Sequence, residues 1–141
     1  MNYLKESDKK MAEGIIHTTR DVMSEFPEIE LGYVFGSFLK GNFRDIDIAI
    51  LLSKKLEPYE SMKFAMKVGR FLEKSLDYKY EFDIKILNSS PCHFRYQVIK
   101  TGLSIFFRNN INRIRYEADV TSDYLDYKET LDWFDQRTIT A

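Results

Sequence analysis

The stretch Tyr33-Val-Phe-Gly-Ser-Phe-Leu-Lys-Gly-Asn-Phe-Arg-Asp-Ile-Asp-Ile-Ala-Ile-Leu-Leu52 carries the reading of this chain. It begins inside a strand over residues 29–35, with β-formers near its end, that Gly36-Ser37 breaks. It closes on a second strand, residues 45–52. Asp45 and Asp47 stand two apart there, so both side chains leave the same face. At about 3.3 Å of rise per residue, their Cα atoms lie roughly 6.5–7 Å apart. Two carboxylates at that distance converge on one hard cation or bridge two ions about 4 Å apart. Left unpaired beside Ile46, Ile48 and Ala49, the like charges would repel. Something positive belongs between them, and Mg²⁺, which favours oxygen ligands and arrives with phosphates, is the natural candidate.

A third acid, Asp83, sits mid-strand in Glu81-Phe-Asp-Ile-Lys-Ile-Leu. Were this strand to lie beside the Asp45–Asp47 strand, three acids would gather on one sheet face. That arrangement serves two ions, one for a triphosphate and one to activate an attacking hydroxyl, with Asp83 also able to accept its proton. Gly36-Ser37 opens what reads as one helical turn. A glycine there lets backbone approach a phosphate, while N–H groups and the Ser37 hydroxyl donate to it. Lys40 and Arg44 add positive charge to the same loop, and Gly41 permits the return toward Asp45. Each element alone has a dull explanation, a turn or a solvated strand edge; in this order they favour a site.

The remaining pattern supplies a frame. Ser7 is the expected N-cap of a helix carrying Met11, Ile15, Ile16, Val22, Met23 and Phe26, ended by Pro27. Pro58 opens a second helix with Met62, Phe64, Ala65, Val68, Phe71, Leu72 and Leu76. Residues 80–87 alternate as a third strand, Pro91 opens a short helix closed by Gly102, and residues 103–107 form a fourth strand. A long helix over about residues 110–137 follows, which Thr121-Ser122-Asp123 could bend. The order is that of a single α/β (α+β) domain over residues 1–141, one small mixed sheet flanked by helices. Its core spans about residues 7–107, with the last helix as an extension.

Composition narrows the function. The chain has 141 residues, 44% hydrophobic and 30% charged, which suits one soluble domain. No apolar run spans a bilayer, and the N-terminal segment lacks a signal-peptide core, so a cytoplasmic protein without membrane contact is expected. A single cysteine, Cys92, excludes an internal disulfide. A net charge of −1 disfavours long nucleic acid as substrate. His17 and His93 have no metal-binding spacing and read as surface or cap residues. Tyr116, Tyr124, Tyr127, Trp133 and Phe134 either pack on the domain's own sheet or form a docking surface.

With these residues in place, the sequence resembles the nucleotidyltransferase superfamily that includes DNA polymerase β, and within it the minimal, MntA-like branch. Gly36, Ser37, Asp45, Asp47 and Asp83 match its strand–Gly-Ser–loop–Asp-x-Asp motif and distant third acid. Further matches run from Phe82 through Pro91 to Phe106 and include Tyr124-Leu-Asp-Tyr127. The resemblance implies a polymerase β palm-like fold, Mg²⁺ or Mn²⁺ as cofactor and ATP or another NTP as substrate. It implies a metal-dependent transfer, as an antitoxin, of AMP to a tyrosine of a HEPN-domain toxin, and so a complex between unlike chains or an oligomer. Transfer to a small molecule or an RNA end, and non-catalytic occlusion of a partner, are the competing functions. One departure stands out: only seven residues, Phe38 to Arg44, separate Gly-Ser from Asp-x-Asp, fewer than is usual. Arg44 also replaces the serine often found before the first acid.

Overall fold

The structure, a computed structural model, describes residues 5–140, with side chains through residue 136. Residues 1–4, where the segment read for a signal peptide begins, lie outside the described residues. Helix α1 (Glu6–Ser24) leads into strand β1 (Ile29–Phe35), and a 3-10 turn over Gly36–Lys40 connects toward β2 (Asp45–Leu52). Helix α2 (Pro58–Ser75) precedes β3 (Glu81–Ile86); α3 (Cys92–Thr101), β4 (Leu103–Phe107) and α4 (Asn110–Thr140) complete the chain. Ser7 is not the N-cap: Lys5 holds that position in extended backbone without a side-chain cap, and Ser7 lies inside the helix.

The four strands form one mixed sheet in the order β3-β2-β1-β4. Strand β1 is antiparallel to β2 and β4, whereas β2 and β3 run parallel. Parallel neighbours need a crossover, and α2 supplies it. Alternation then sorts side chains between two faces. Ile46, Ile48, Ile50 and Leu52 of β2, with Ile86 of β3, meet Val22, Met23, Phe64, Val68 and Leu72 of α1 and α2 in the larger core. On the other face Leu31, Tyr33 and Ala49 pack with Leu87 and Val98, and Tyr116 of α4 lies against them. Asn88 finishes the end of β2, its amide bonding both the N–H and the carbonyl of Leu52 at 2.8 and 2.9 Å.

Apolar recurrence overstated the buried faces. Met11, Met62 and Phe71 are exposed, while Ala12, Thr19, Ser61 and Gly69 occupy buried positions. Helix α4 is continuous: the Thr121 hydroxyl bonds the Glu117 carbonyl one turn back at 2.7 Å, so the polar triplet does not break it. Ile111, Ile114, Leu125, Leu131 and Phe134 are exposed on α4, and Val120 is buried. Its aromatics divide: Tyr116 packs against the sheet core, Tyr124 stacks on Tyr96 with ring centroids 4.0 Å apart, and Tyr127 is 44% exposed. No helix among the described residues is long and apolar enough to cross a membrane.

Candidate active site

Parallel pairing of β2 and β3 brings the acids together. In the register Asp45 lies opposite Glu81 and Asp47 opposite Asp83, so the two strands place Asp47 and Asp83 side by side. Their inward neighbours Ile46, Ile48, Phe82 and Ile84 go to the larger core, leaving Asp45, Asp47 and Asp83 on the opposite face. Asp47 is half-buried and the other two are exposed. Partial burial, then the charge of Asp83, raise the Asp47 carboxyl above its ordinary range; Lys85 opposes this and Asp45 adds to it.

Lys85, two residues beyond Asp83 and on its face, was not singled out from sequence. Its Nζ lies 3.5 Å from Asp83 Oδ2, a partly exposed ion pair within the acidic group. Period-2 alternation from Asp83 is the signal that would have found it. Among the described residues, no three histidine, cysteine, aspartate or glutamate side chains are close enough as they stand to hold a metal ion. The donor set nonetheless suits a hard cation. It offers three carboxylates on one exposed face, and the charges of Asp83 and Asp45, which add to burial in raising Asp47, are ones a cation offsets.

The Gly-Ser segment abuts this group. Phe35 is in register with Asp47, and Gly36 follows with φ +75°, a left-handed conformation that glycine adopts without penalty. A Cβ there would meet Asp47 Oδ2 at 2.6 Å, so the absent side chain is what lets the carboxylate sit against the turn. The short loop closes on itself. Gly41, at φ 94°, donates to the Phe38 carbonyl at 3.1 Å, Asn42 donates to that of Ser37 at 3.1 Å, and buried Phe38 and Phe43 pack with centroids 5.0 Å apart. Seven residues are therefore enough to return the chain to Asp45.

Gly36, Ser37 and Lys40 line one wall of a cleft of about 500 Å³; Phe94, Gln97 and Thr101 of α3 line the other. Those α3 residues escaped the sequence reading, since only tertiary packing sets them opposite Ser37. Arg44 does not join the cleft. It is exposed, and its backbone carbonyl accepts the Glu81 N–H at 3.1 Å where β3 begins.

Residues 17–111, well over half of the chain, match the family model described as polymerase beta, nucleotidyltransferase. The chain belongs to that family. Among solved structures it resembles a chain of the tri-AMPylated Shewanella oneidensis HEPN toxin in complex with MNT antitoxin, at 21% identity and TM-score 0.63, covering 94% of this chain and 98% of that one. A chain of a toxin–antitoxin structure with AMP-PNP matches at 20% identity and TM-score 0.67, over 88% and 98%. The MntA–HepT toxin–antitoxin structure has a chain that matches at 21% identity and TM-score 0.62, over 91% and 96%. At such identities the likeness establishes the fold, a nucleotidyltransferase sheet with helices on both faces. No curated protein matches the sequence significantly.

Proposed function

We propose that this nucleotidyltransferase moves AMP from ATP to a tyrosine hydroxyl of a HEPN-domain partner and thereby acts as an antitoxin. The observation that carries the reaction is the Asp47–Asp83 register beside Gly36-Ser37, which puts carboxylates and a phosphate-accepting turn on one exposed face. The partner is supported by the fold shared with toxin–antitoxin structures, one named for its AMPylated HEPN toxin and another for AMP-PNP.

In this reading Ser37 and the backbone of the Gly36 turn donate to the triphosphate, and Lys40 offsets its charge from the cleft wall. Arg44, nearer β3, contributes through the field alone. Asp45, Asp47 and Asp83 would hold a divalent cation, which neutralises phosphate charge and lowers the pKa of the attacking hydroxyl. The acceptor oxygen bonds to the α-phosphorus as the bond from that phosphorus to the bridging oxygen breaks. Pyrophosphate leaves, and the acceptor proton passes to Asp83. Lys85 leaves Asp83 as the acceptor enters and faces the incoming phosphates. In this reading the protein acts in the cytoplasm, where ATP is available.

Mass spectrometry of a HEPN-domain partner, coexpressed with this chain and digested, tests the acceptor. The expected product carries AMP on a tyrosine. Adducts confined to RNA or to small molecules would replace the antitoxin reading with another nucleotidyltransferase activity.

A further inference from the structure

Lys63, Lys67, Arg70 and Lys74 recur along α2 at intervals of four, three and four, so they form a single stripe. The helix buries Phe64, Val68 and Leu72, which turns the stripe to solvent. Solvated helix faces ordinarily mix charges of both signs. Here, among the described residues, none of the four cations is in an ion pair. Glu73, the acid lining the groove itself, accepts the Phe82 N–H at 3.2 Å, while Glu25 and Glu28 share a neighbouring recess with Lys67 without an ion pair to it. In a chain of net charge −1 this is a pronounced local excess of positive charge.

The stripe lines a groove of about 580 Å³ together with exposed Met66, Phe71 and Tyr78. Tyr78 is 73% exposed and sits in left-handed backbone, φ 59°, directly after Asp77 at φ 56°. That backbone is the turn that closes α2, with the Tyr78 N–H donating to the Glu73 carbonyl at 2.8 Å, and it leaves Tyr78 lining the groove. The groove also has a direction. A smaller recess of about 250 Å³ shares Met66, Arg70 and Glu73 with it and continues to the β3 edge at Phe82, Asp83 and Ile84, where the Asp83 carboxylate leaves the far face of the sheet. Because β3 is an edge strand, the outer side of this recess has no neighbouring strand.

We propose that the α2 groove docks an acidic segment of the protein acceptor, with apolar side chains between its acids, and leads it round the open edge of β3 to the face that carries Asp83. This rests on the transfer reaction proposed above and names the surface that reads its substrate. Charge complementarity identifies the segment as acidic, and the interleaved Met66, Phe71 and Tyr78 require apolar partners. RNA fits less well. A phosphate backbone draws its affinity from a broad basic excess, which a chain of net charge −1 lacks, whereas a short acidic segment needs only the stripe.

The test uses the full chain and two fluorescent probes, a short helical peptide of Glu, Leu and Tyr and an oligouridylate of equal charge. By anisotropy the peptide should bind wild type and D45N/D47N alike, weaken with added salt, and lose at least about tenfold in affinity on K67E/R70E. In transfer assays K67E/R70E should raise KM for the protein acceptor and leave kcat and KM for ATP unchanged. Peptide binding indifferent to the charge reversal, or preference for the RNA, overturns the groove and leaves the reaction standing. Wild type that binds the peptide yet transfers no AMP to any acceptor overturns the reaction and not the groove.

Discussion

Gly36 and Asp47 depend on each other. The left-handed turn at Gly36 and the 2.6 Å that a Cβ would leave to Asp47 Oδ2 make Gly36→Ala a change in the site more than in the fold. A carboxylate can swing aside, so this variant should fold with a loss of about 1–2 kcal/mol for the left-handed backbone, read from urea unfolding. Transfer should fall at least about 100-fold, since in the proposed site the displaced carboxylate would hold the cation, and weaker perturbations of metal sites already cost 10–100-fold. Wild-type activity in G36A would show that Asp47 need not sit against the turn. Ser37 makes a narrower claim. If Ser37 donates to the triphosphate as proposed, Ser37→Ala costs one hydrogen bond to a charged group, and apparent ATP affinity should drop by about 1.5–3 kcal/mol. An unchanged KM for ATP would reduce Ser37 to a turn residue.

Helix α4 is held to the sheet by a polar seam. The Tyr33 hydroxyl donates to Glu117 at 3.3 Å, and Arg113 Nη1 holds both carboxylate oxygens of Glu117 at 3.0 Å. Burial, then the Glu117 charge, push the Tyr33 phenol up; burial raises that of Tyr116 from 10.0 to about 12, against the opposing pull of Arg95. The unfolded chain therefore surrenders these protons first. Stability is fully present below pH 10 and should fall as pH climbs from 10 toward 12. Tyr116→Phe should keep its melting temperature within a few degrees at pH 7 and lose less across that alkaline window. Equal alkaline losses in Y116F and wild type would place the titrating group elsewhere.

Elements were the legible part of this sequence. Four strands showed through because Gly36, Pro27, Pro58, Pro91 and Gly102 punctuate them and because residues 81–86 alternate cleanly. The helix boundary at Ser7 misled, since a serine near a helix start carries the same signal whether or not its hydroxyl caps. The polar triplet in α4 misled for the reverse reason: Thr121 satisfies its hydroxyl within the helix. Pairing was visible only as a condition. Two acids on β2 and one on β3 form a group only if those strands are neighbours, and nothing local fixes that neighbour. The α3 wall of the cleft, Phe94, Gln97 and Thr101, depends on tertiary packing in the same way.

Across the whole molecule, charge is sorted in a manner that composition conceals. A net charge of −1 averages an acidic face on β2 and β3 with a cationic stripe on α2. The fold needs neither: Ile46, Ile48, Ile50, Val68 and Leu72 bury beneath both surfaces, so each can change without emptying the core. That independence lets catalysis be tested apart from folding, with α-labelled ATP, Mg²⁺ and a HEPN-domain acceptor and with wild type set against D45N/D47N. Labelled acceptor from wild type, and none from a double variant whose melting temperature is at least that of wild type, is the predicted result. Undiminished labelling by D45N/D47N would contradict the assignment of the acids as the catalytic centre.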